Sequence, residues 1–435
     1  MRVTLIKPPE RSRLNFGSFS LAVLAACVRD IADVKILDLT DLRIQEAAKA
    51  VLETEPDLAG VTTMGLSSVA PAAAFLKALR NYGFGGLLIA GGHGASMSPE
   101  PLLESGADAV VYGEGELTFR ELLSSGISEK VKGIVLLRNG NILKTPPRPL
   151  ISSLDRLPQP ARDLDGQKSS IVLLETSRGC PHGCIFCETS RFHGRVWRAR
   201  SPDLVVKDVR HLVSSADVIQ IADDNFMASP KRALRICELL QDGPLPLFFL
   251  FSARSDDLVQ DPAVIPALAG AHFLRANIGV ETVDQNIMQR VQKTIPLDQH
   301  RKAFARMRNA GIYTVASFIV GLPGETEKTR QSYVDAAVEL GADAARFIPF
   351  QPLPGTPMEN ERCEPWCEER AWKMTREFDR HPEVLKNLMD AAKQPTLRGS
   401  FARASLNRRL REKILDRDSA AVVAEALEDI EFSVE

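Results

Sequence analysis

The stretch Ser177–Ser190, SRGCPHGCIFCETS, places Cys180, Cys184 and Cys187 at spacings of four and three within one glycine-containing run. Three thiols so placed serve as part of a disulfide framework, as zinc ligands, or as a cluster site left one ligand short. A closed structural zinc site takes four nitrogen or sulfur ligands, commonly as two separated pairs. Here all three thiols come from one loop, and His182 inside it and His193 six residues beyond it keep a Cys3His site open. Three thiolates from one loop also suit a four-iron cluster whose fourth iron stays open for a substrate or cofactor. Gly179 and Gly183 let such a loop wrap tightly, because glycine tolerates φ > 0.

The remaining cysteines carry weaker signals. Cys363 and Cys367, in ERCEPWCEE, read as a second metal pair, a fourth cluster ligand or two core thiols, and Cys27 and Cys237 fall on apolar helix faces as packing residues. Seven cysteines, an odd number with three clustered, argue for metal chemistry in a reducing compartment rather than a secreted disulfide scaffold.

The chain that must position these groups has 435 residues, more than a single core supports, so two or three domains are expected. Apolar residues are 44% and charged residues 25%, with a net charge of −2, which gives no ground for a nucleic-acid or anionic-membrane partner. MRVTLIKPPE reads as a strand from the second residue with no leader pattern, and no apolar run approaches the ~20 residues of a membrane span. A cytoplasmic protein is expected.

From Arg2 to about Leu137, strand-like runs (RVTLIK, VKILDL, LAGVTTM, GLLIAGG, ADAVVYG) alternate with helical patterns such as SLAVLAACVRDI, the signature of a parallel sheet wrapped by helices. Ligands bind such sheets at the strands' carboxyl ends, where the turns TMGLSS, GGHGAS and YGEGE lie. A polar, proline-containing stretch (146–170) reads as a linker. A second βα series follows, with strands in IVLLETSRG, DVIQIAD, LFFLFSA, FLRANIGVE, YTVASFIVG and AARFIPF; six strands in about 180 residues suit a partial barrel. Beyond Pro357 the pattern is helical and charged. Its arginines Arg398, Arg403, Arg408, Arg409 and Arg411 read as a solvated helix face, or as a dock for an acidic macromolecule.

CPHGCIFC resembles the CxxxCxxC loop of radical S-adenosylmethionine (SAM) enzymes, with Phe186 before the last cysteine. Further segments match the family in order: IADDNF with Asp223 and Asp224, FSARSD with Ser252 and Arg254, IGVET with Glu281, FIVGLPGET with Gly321, and FIPFQPLPGTP with Phe350. The resemblance implies a [4Fe-4S] cluster on Cys180, Cys184 and Cys187. It also implies SAM contacts from those residues, and an external electron donor. The plainer readings are helix capping for Asp223 and Asp224, a surface ion pair for Arg254 and a helix-start carboxylate for Glu281.

The first unit, by its position and turns, resembles the cobalamin-binding domain fused ahead of a subset of these enzymes. The resemblance implies cobalamin contacts from Met64, Gly65, Leu66, Ser67, Ser68, Gly91, Gly92, His93, Gly94, Tyr112, Gly113, Glu114, Gly115 and Glu116. Cobalamin domains that give cobalt a histidine carry DxHxxG after the first strand. Here that loop reads KPPERSRLNFG, so no histidine ligand from the protein is expected, and Met64 or Leu66 is expected to shield the lower cobalt face. His93 is otherwise an ordinary turn histidine.

The expected fold is α/β: an N-terminal Rossmann-like cobalamin-binding domain (1–145), a linker (146–170), a partial (β/α)6 radical SAM barrel (171–360) and a small helical C-terminal region (361–435). The implied function is cobalamin-dependent C-methylation of an unactivated carbon. A protein or peptide residue is the first substrate expected, methyl-coenzyme M reductase being one instance, and a natural-product intermediate the second. The rivals are rearrangement or cyclisation with the same cofactors, and a non-catalytic corrinoid carrier or sensor.

Overall fold

The computed structural model describes residues 1–10, 17–165, 171–243 and 245–432. Two parallel sheets in series dominate it. The first has strands β1 (Arg2–Lys7), β2 (Asp33–Asp38), β3 (Leu58–Thr63), β4 (Leu87–Gly92), β5 (Ala109–Val111), β6 (Ile134–Arg138) and β7 (Asn141–Lys144), in the spatial order 2-1-3-4-5-6-7. β1 to β5 run parallel, as the βα rhythm predicts. β6 and β7 are antiparallel additions that the alternation did not reveal. Their signal is in the sequence: Asn139-Gly140 turns the hairpin with φ of 52° and 77°, the left-handed geometry that a two-residue hairpin turn demands. Apolar clusters fill both faces of this sheet.

The segment expected as a linker is strapped down on both sides. Ala161 N–H donates to Ala22 O, Arg29 pairs with Asp163, Arg162 donates to Leu173 O and Gln159 to Asp208. Residues 166–170 of it lie outside the described residues.

The second sheet comprises β8 (Ile171–Leu174), then, after a short antiparallel pair β9 (Ser177–Arg178) and β10 (Arg198–Ala199), β11 (Val218–Ile221), β12 (Phe248–Ala253), β13 (Phe273–Glu281), β14 (Tyr313–Val320) and β15 (Ala344–Pro349). Its six strands are all parallel and stand in chain order, the partial barrel expected. Side chains alternate faces along each strand. Ile219, Phe249, Phe251, Ile278, Val280, Phe318 and Phe347 pack outward against the helices in one continuous core. Gln220, Ser252, Arg275, Asn277, Gly279, Glu281, Ser317 and Arg346 therefore share the opposite, concave face. Among the described residues no helix is long and apolar enough to cross a membrane.

Four helices end the chain, Trp366–Arg380, Pro382–Ala392, Leu397–Arg411 and Arg417–Phe432. Of the basic segment only Arg411 is a solvated, exposed residue; the other four arginines are bound within the fold. Arg409 is fully buried and donates to both the carboxylate and the carbonyl of Asp379, Arg408 pairs with Asp379 and Glu412, and Arg398 pairs with Asp343 at the base of β15. Arg403 donates to the carbonyls of Ala392 and Gln394. These cations are structural because helix-end carbonyls and buried carboxylates need donors. Asp379→Ala strips two arginines of their shared anion, and a loss of about 3–5 kcal/mol in urea denaturation is expected, the cost of leaving a buried charge unpaired.

Candidate functional site

The loop bearing Cys180, Cys184 and Cys187 is held at two points and braced by one bond within itself. Gly179 N–H donates to Asp224 Oδ2 at 2.8 Å, Ile185 N–H to Val291 O at 3.1 Å, and Cys187 N–H to Cys184 O at 3.2 Å. At Gly179 φ is +83°, and a Cβ there would lie 2.1 Å from Val196 O, so glycine is obligatory. Phe186 and Ile185 pack against a buried apolar group of Ile287, Val291, Leu322, Phe350 and Met358 from the ends of β13 to β15. The loop thus closes over the carboxyl ends of the second sheet's strands, bringing Phe186 and Phe350 together.

None of the seven cysteines is in a disulfide. The Cys3His arrangement is not formed. His182 Nε2 faces Asp257 at 3.5 Å, while His193 Nδ1 lies 3.0 Å from Arg198 and its Nε2 3.8 Å from Asp224. Among the described residues no three His, Cys, Asp or Glu side chains converge on a single-ion site. A four-iron cluster does not require that convergence, since each thiolate takes a different iron. Burial pushes the Cys180 thiol up to about 11, so ionising it calls for a metal cation in the proton's place. Arg254 Nη1 lies 3.6 Å from Cys184 Sγ, its other nitrogens gripping Asp256.

Asp223 is buried and saturated, accepting from Thr176 N–H, Thr176 Oγ1 and Ser177 Oγ; burial raises its pKa despite those donors. Asp224 is raised to about 6, by burial first. Both carboxylates hold the chain entering the cysteine loop. Ser252 lies on the concave face near the end of β12. Glu281, at the end of β13, adopts φ of +66° and pairs with Lys293 at 2.7 Å. A left-handed non-glycine residue at a strand end is strain of the kind that marks functional sites. Gly321 N–H donates to Glu325, and its φ of +94° leaves it against Cys367 Sγ. Cys367 is buried and Cys363 exposed.

A cleft of about 200 Å³ opens between the two sheets. Gly91, Gly92, His93, Gly113, Glu114, Gly115 and Glu116 line one side of it, with residues of the Phe19–Val28 helix; Glu175, Arg178, Phe192 and His193 line the other. At Gly92 φ is +103° and a Cβ would meet Thr63 O at 2.2 Å, which lets β3 and β4 approach. His93 stacks on Phe192 at 4.1 Å. The other predicted residues of the first unit do not line the cleft. Tyr112 donates to Thr145 O, Ser68 donates to Glu10, Leu66 packs on the core, and Gly94 is buried against Gly65 O; Ser67 is exposed, and so is Met64, at 56%. Residues 11–16 of the loop after β1, where a cobalt-ligating histidine would be sought, lie outside the described residues.

The cleft's floor is ionic. Arg178, two residues before Cys180, donates to Glu114 at 3.0 Å, Glu116 at 2.6 Å and Glu175 at 2.8 Å, and Arg198 also grips Glu114. Burial raises Glu175 to about 7, while Glu114 ends below its ordinary value because the Ile151 N–H and Arg178 outweigh its burial. Sequence reasoning missed Arg178 and Glu175 as cleft residues and Arg198 as their support, since only the pairing of distant segments brings the two arginines to Glu114.

Residues 174–337 match the model of the radical SAM superfamily, and residues 13–123 that of the B12 binding domain. An uncharacterized methyltransferase of Pyrococcus horikoshii is 32% identical over 82% of this chain and 82% of its own length. The chain belongs to the B12-binding radical SAM enzymes of methyltransferase type. An anaerobic magnesium-protoporphyrin IX monomethyl ester cyclase of Rubrivivax gelatinosus is 27% identical, over 72% of this chain and 60% of the cyclase. The fold matches the radical SAM methyltransferase TsrM of Kitasatospora setae (TM-score 0.73, 20% identity, 82% of this chain and 75% of that one). It also matches the cobalamin-dependent SAM radical enzyme OxsB (0.67, 21%, 85% and 56%).

The cofactors of this family, a [4Fe-4S] cluster, SAM and cobalamin, fit the residues present. Three thiols sit on a clamped loop with a guanidinium beside one of them. The cleft has a glycine-rich wall that admits a close flat ligand. Glu188 Oε2, on the residue after Cys187, is a buried acceptor with no partner.

His300, fully buried, has its Nδ1 2.7 Å from Ser255 Oγ beside Arg254, and burial, then Lys293, lowers it to about 4. It is neutral when folded and titrates near 6.5 when unfolded. Stability is therefore full above about pH 6.5 and falls as pH drops towards 4, by roughly 3 kcal/mol at most. His300→Gln flattens that acid slope, measured by urea denaturation across the window.

Proposed function

We propose that this enzyme transfers a methyl group to an unactivated carbon of a small organic substrate, with cobalamin in the cleft and SAM over the carboxyl ends of β11 to β15. The supporting observation is the cleft itself, which has glycine turns of the first sheet on one side and the flank of the cysteine loop on the other. When bound, the cluster and SAM supply a hydrogen-abstracting radical and cobalamin supplies the methyl group.

The chain's residues position and insulate. Cys180, Cys184 and Cys187 hold the cluster, and Arg254 offsets thiolate charge at Cys184. Ser252, Glu281, Gly321, Phe186 and Phe350 surround SAM, Lys293 fixing the Glu281 carboxylate where the strained backbone aims it. Asp223 and Asp224 act through the loop they hold rather than on SAM. Gly91, Gly92, His93, Gly113 and Gly115 take the cobalamin side. Met64, exposed just past β3, and Leu66, turned to the core, lie outside the cleft lining and would not contact a cofactor held there. The ionic floor of Arg178, Glu114 and Glu116 keeps the two sites in register and excludes water between them. A small molecule is preferred to a protein residue because four of the five arginines that would dock an acidic macromolecule, Arg398, Arg403, Arg408 and Arg409, are spent within the fold.

Anaerobic reconstitution with cobalamin and labelled SAM tests this. Equal yields of S-adenosylhomocysteine and 5′-deoxyadenosine are expected, whereas 5′-deoxyadenosine alone would indicate cyclase-type chemistry. Cys184→Ala reduces 5′-deoxyadenosine to background by chromatography; persistence of cleavage would refute the cluster assignment. Paramagnetic resonance of the cob(II)alamin form shows no nitrogen splitting from a protein ligand.

A further inference from the structure

Arg275, third residue of β13, extends onto the concave face of the six-stranded sheet, where its Nε is sealed from solvent with no hydrogen-bond partner. Two residues along the same face, the Asn277 Oδ1 acceptor is equally sealed and unpaired. Arg346, exposed on β15, lies on that face as well, in register with Ser317 of β14, which is in register with Gly279 of β13. Burial first, and then the nearness of Arg346, pushes Arg275 below the ordinary guanidinium value. Among the described residues no carboxylate pairs with either arginine. Arg178, Arg198, Arg200, Arg254, Arg398 and Arg409, by contrast, each hold one.

Two neighbouring cations with an unspent donor and an unspent acceptor form a site whose missing partner is an anion, since buried polar groups are otherwise satisfied. We propose that Arg275 and Arg346 bind an anionic group, carboxylate or phosphate, on the molecule to be methylated, with Asn277 accepting a hydrogen bond from a donor beside it. This rests on the methyltransferase reading. The guanidinium fork matches both anions in two-point geometry. SAM's carboxylate is not the ligand meant, because the deep end of the site, Arg275, lies six residues before Glu281, about 20 Å along the strand, with Arg346, level with Gly279, reaching back towards it. An anion held at that depth fixes how far up the barrel the rest of the substrate reaches, and so which carbon meets the cofactors.

Phenylglyoxal modification of the full chain, mapped by mass spectrometry with and without millimolar inorganic phosphate or acetate, tests the proposal. Labelling of Arg346 is expected to fall several-fold with one of the anions, the effective one telling phosphate from carboxylate. Exposed Arg362 should be unaffected. Protection of Arg346 disappears in Arg275→Met and returns in Arg275→Lys, and protection of Arg275 disappears in Arg346→Gln, a change at an exposed position that spares the fold. Protection no greater than at Arg362, or unchanged in both variants, overturns it. The footprint is read without SAM or reductant, so failure of methyl transfer in the reconstituted enzyme would count against the function and leave this test standing.

Discussion

All three nitrogens of the Arg178 guanidinium are spent on carboxylates, two from the first sheet and one from the second. This buried node lines the cleft two residues before the first cysteine of the loop, so the cleft and the loop are tied to each other through it. Removing one partner of a buried ion pair leaves an uncompensated charge, which costs far more than a surface pair is worth. Arg198 adds a second grip on Glu114 and joins His193 to it. The stacked His93 and Phe192 extend the junction along the cleft wall.

The carboxylates near the loop divide the labour. Asp223 and Asp224 are raised by burial and still held by donors from the chain around the cysteines, which makes them struts. Glu175 is raised by its burial, which its pairing with Arg178 offsets only in part.

Much of the architecture was legible because period and punctuation agree. β8 and β11 to β15 fall where the apolar runs FLRANIGVE, YTVASFIVG and their neighbours lie, and the cysteine spacing is local enough to read directly. What was not legible depends on residues far apart in sequence. Glu114 and Glu116 read as turn residues facing a cofactor, and only the docking of the two sheets turns them onto Arg178. The basic tail read as surface for the same reason, since Asp379 and Asp343 become its partners only after the C-terminal helices fold back. Tyr112 and Ser68 bond to Thr145 and Glu10 through a hairpin and a loop contact that strand periodicity does not encode.

Gly321 carries no side chain, and Cys367 occupies the space where one would begin. The first of the C-terminal helices is therefore the outer wall of the turn after β14, and Tyr313, at that strand's start, reaches Ser405 of the third. The two ends of one barrel strand are thus buttressed by the segment that follows the barrel. Those helices cannot be trimmed or exchanged as a cassette without reshaping the strand between the two contacts, so any recombination of such enzymes at the barrel's end has to carry this helical segment with it.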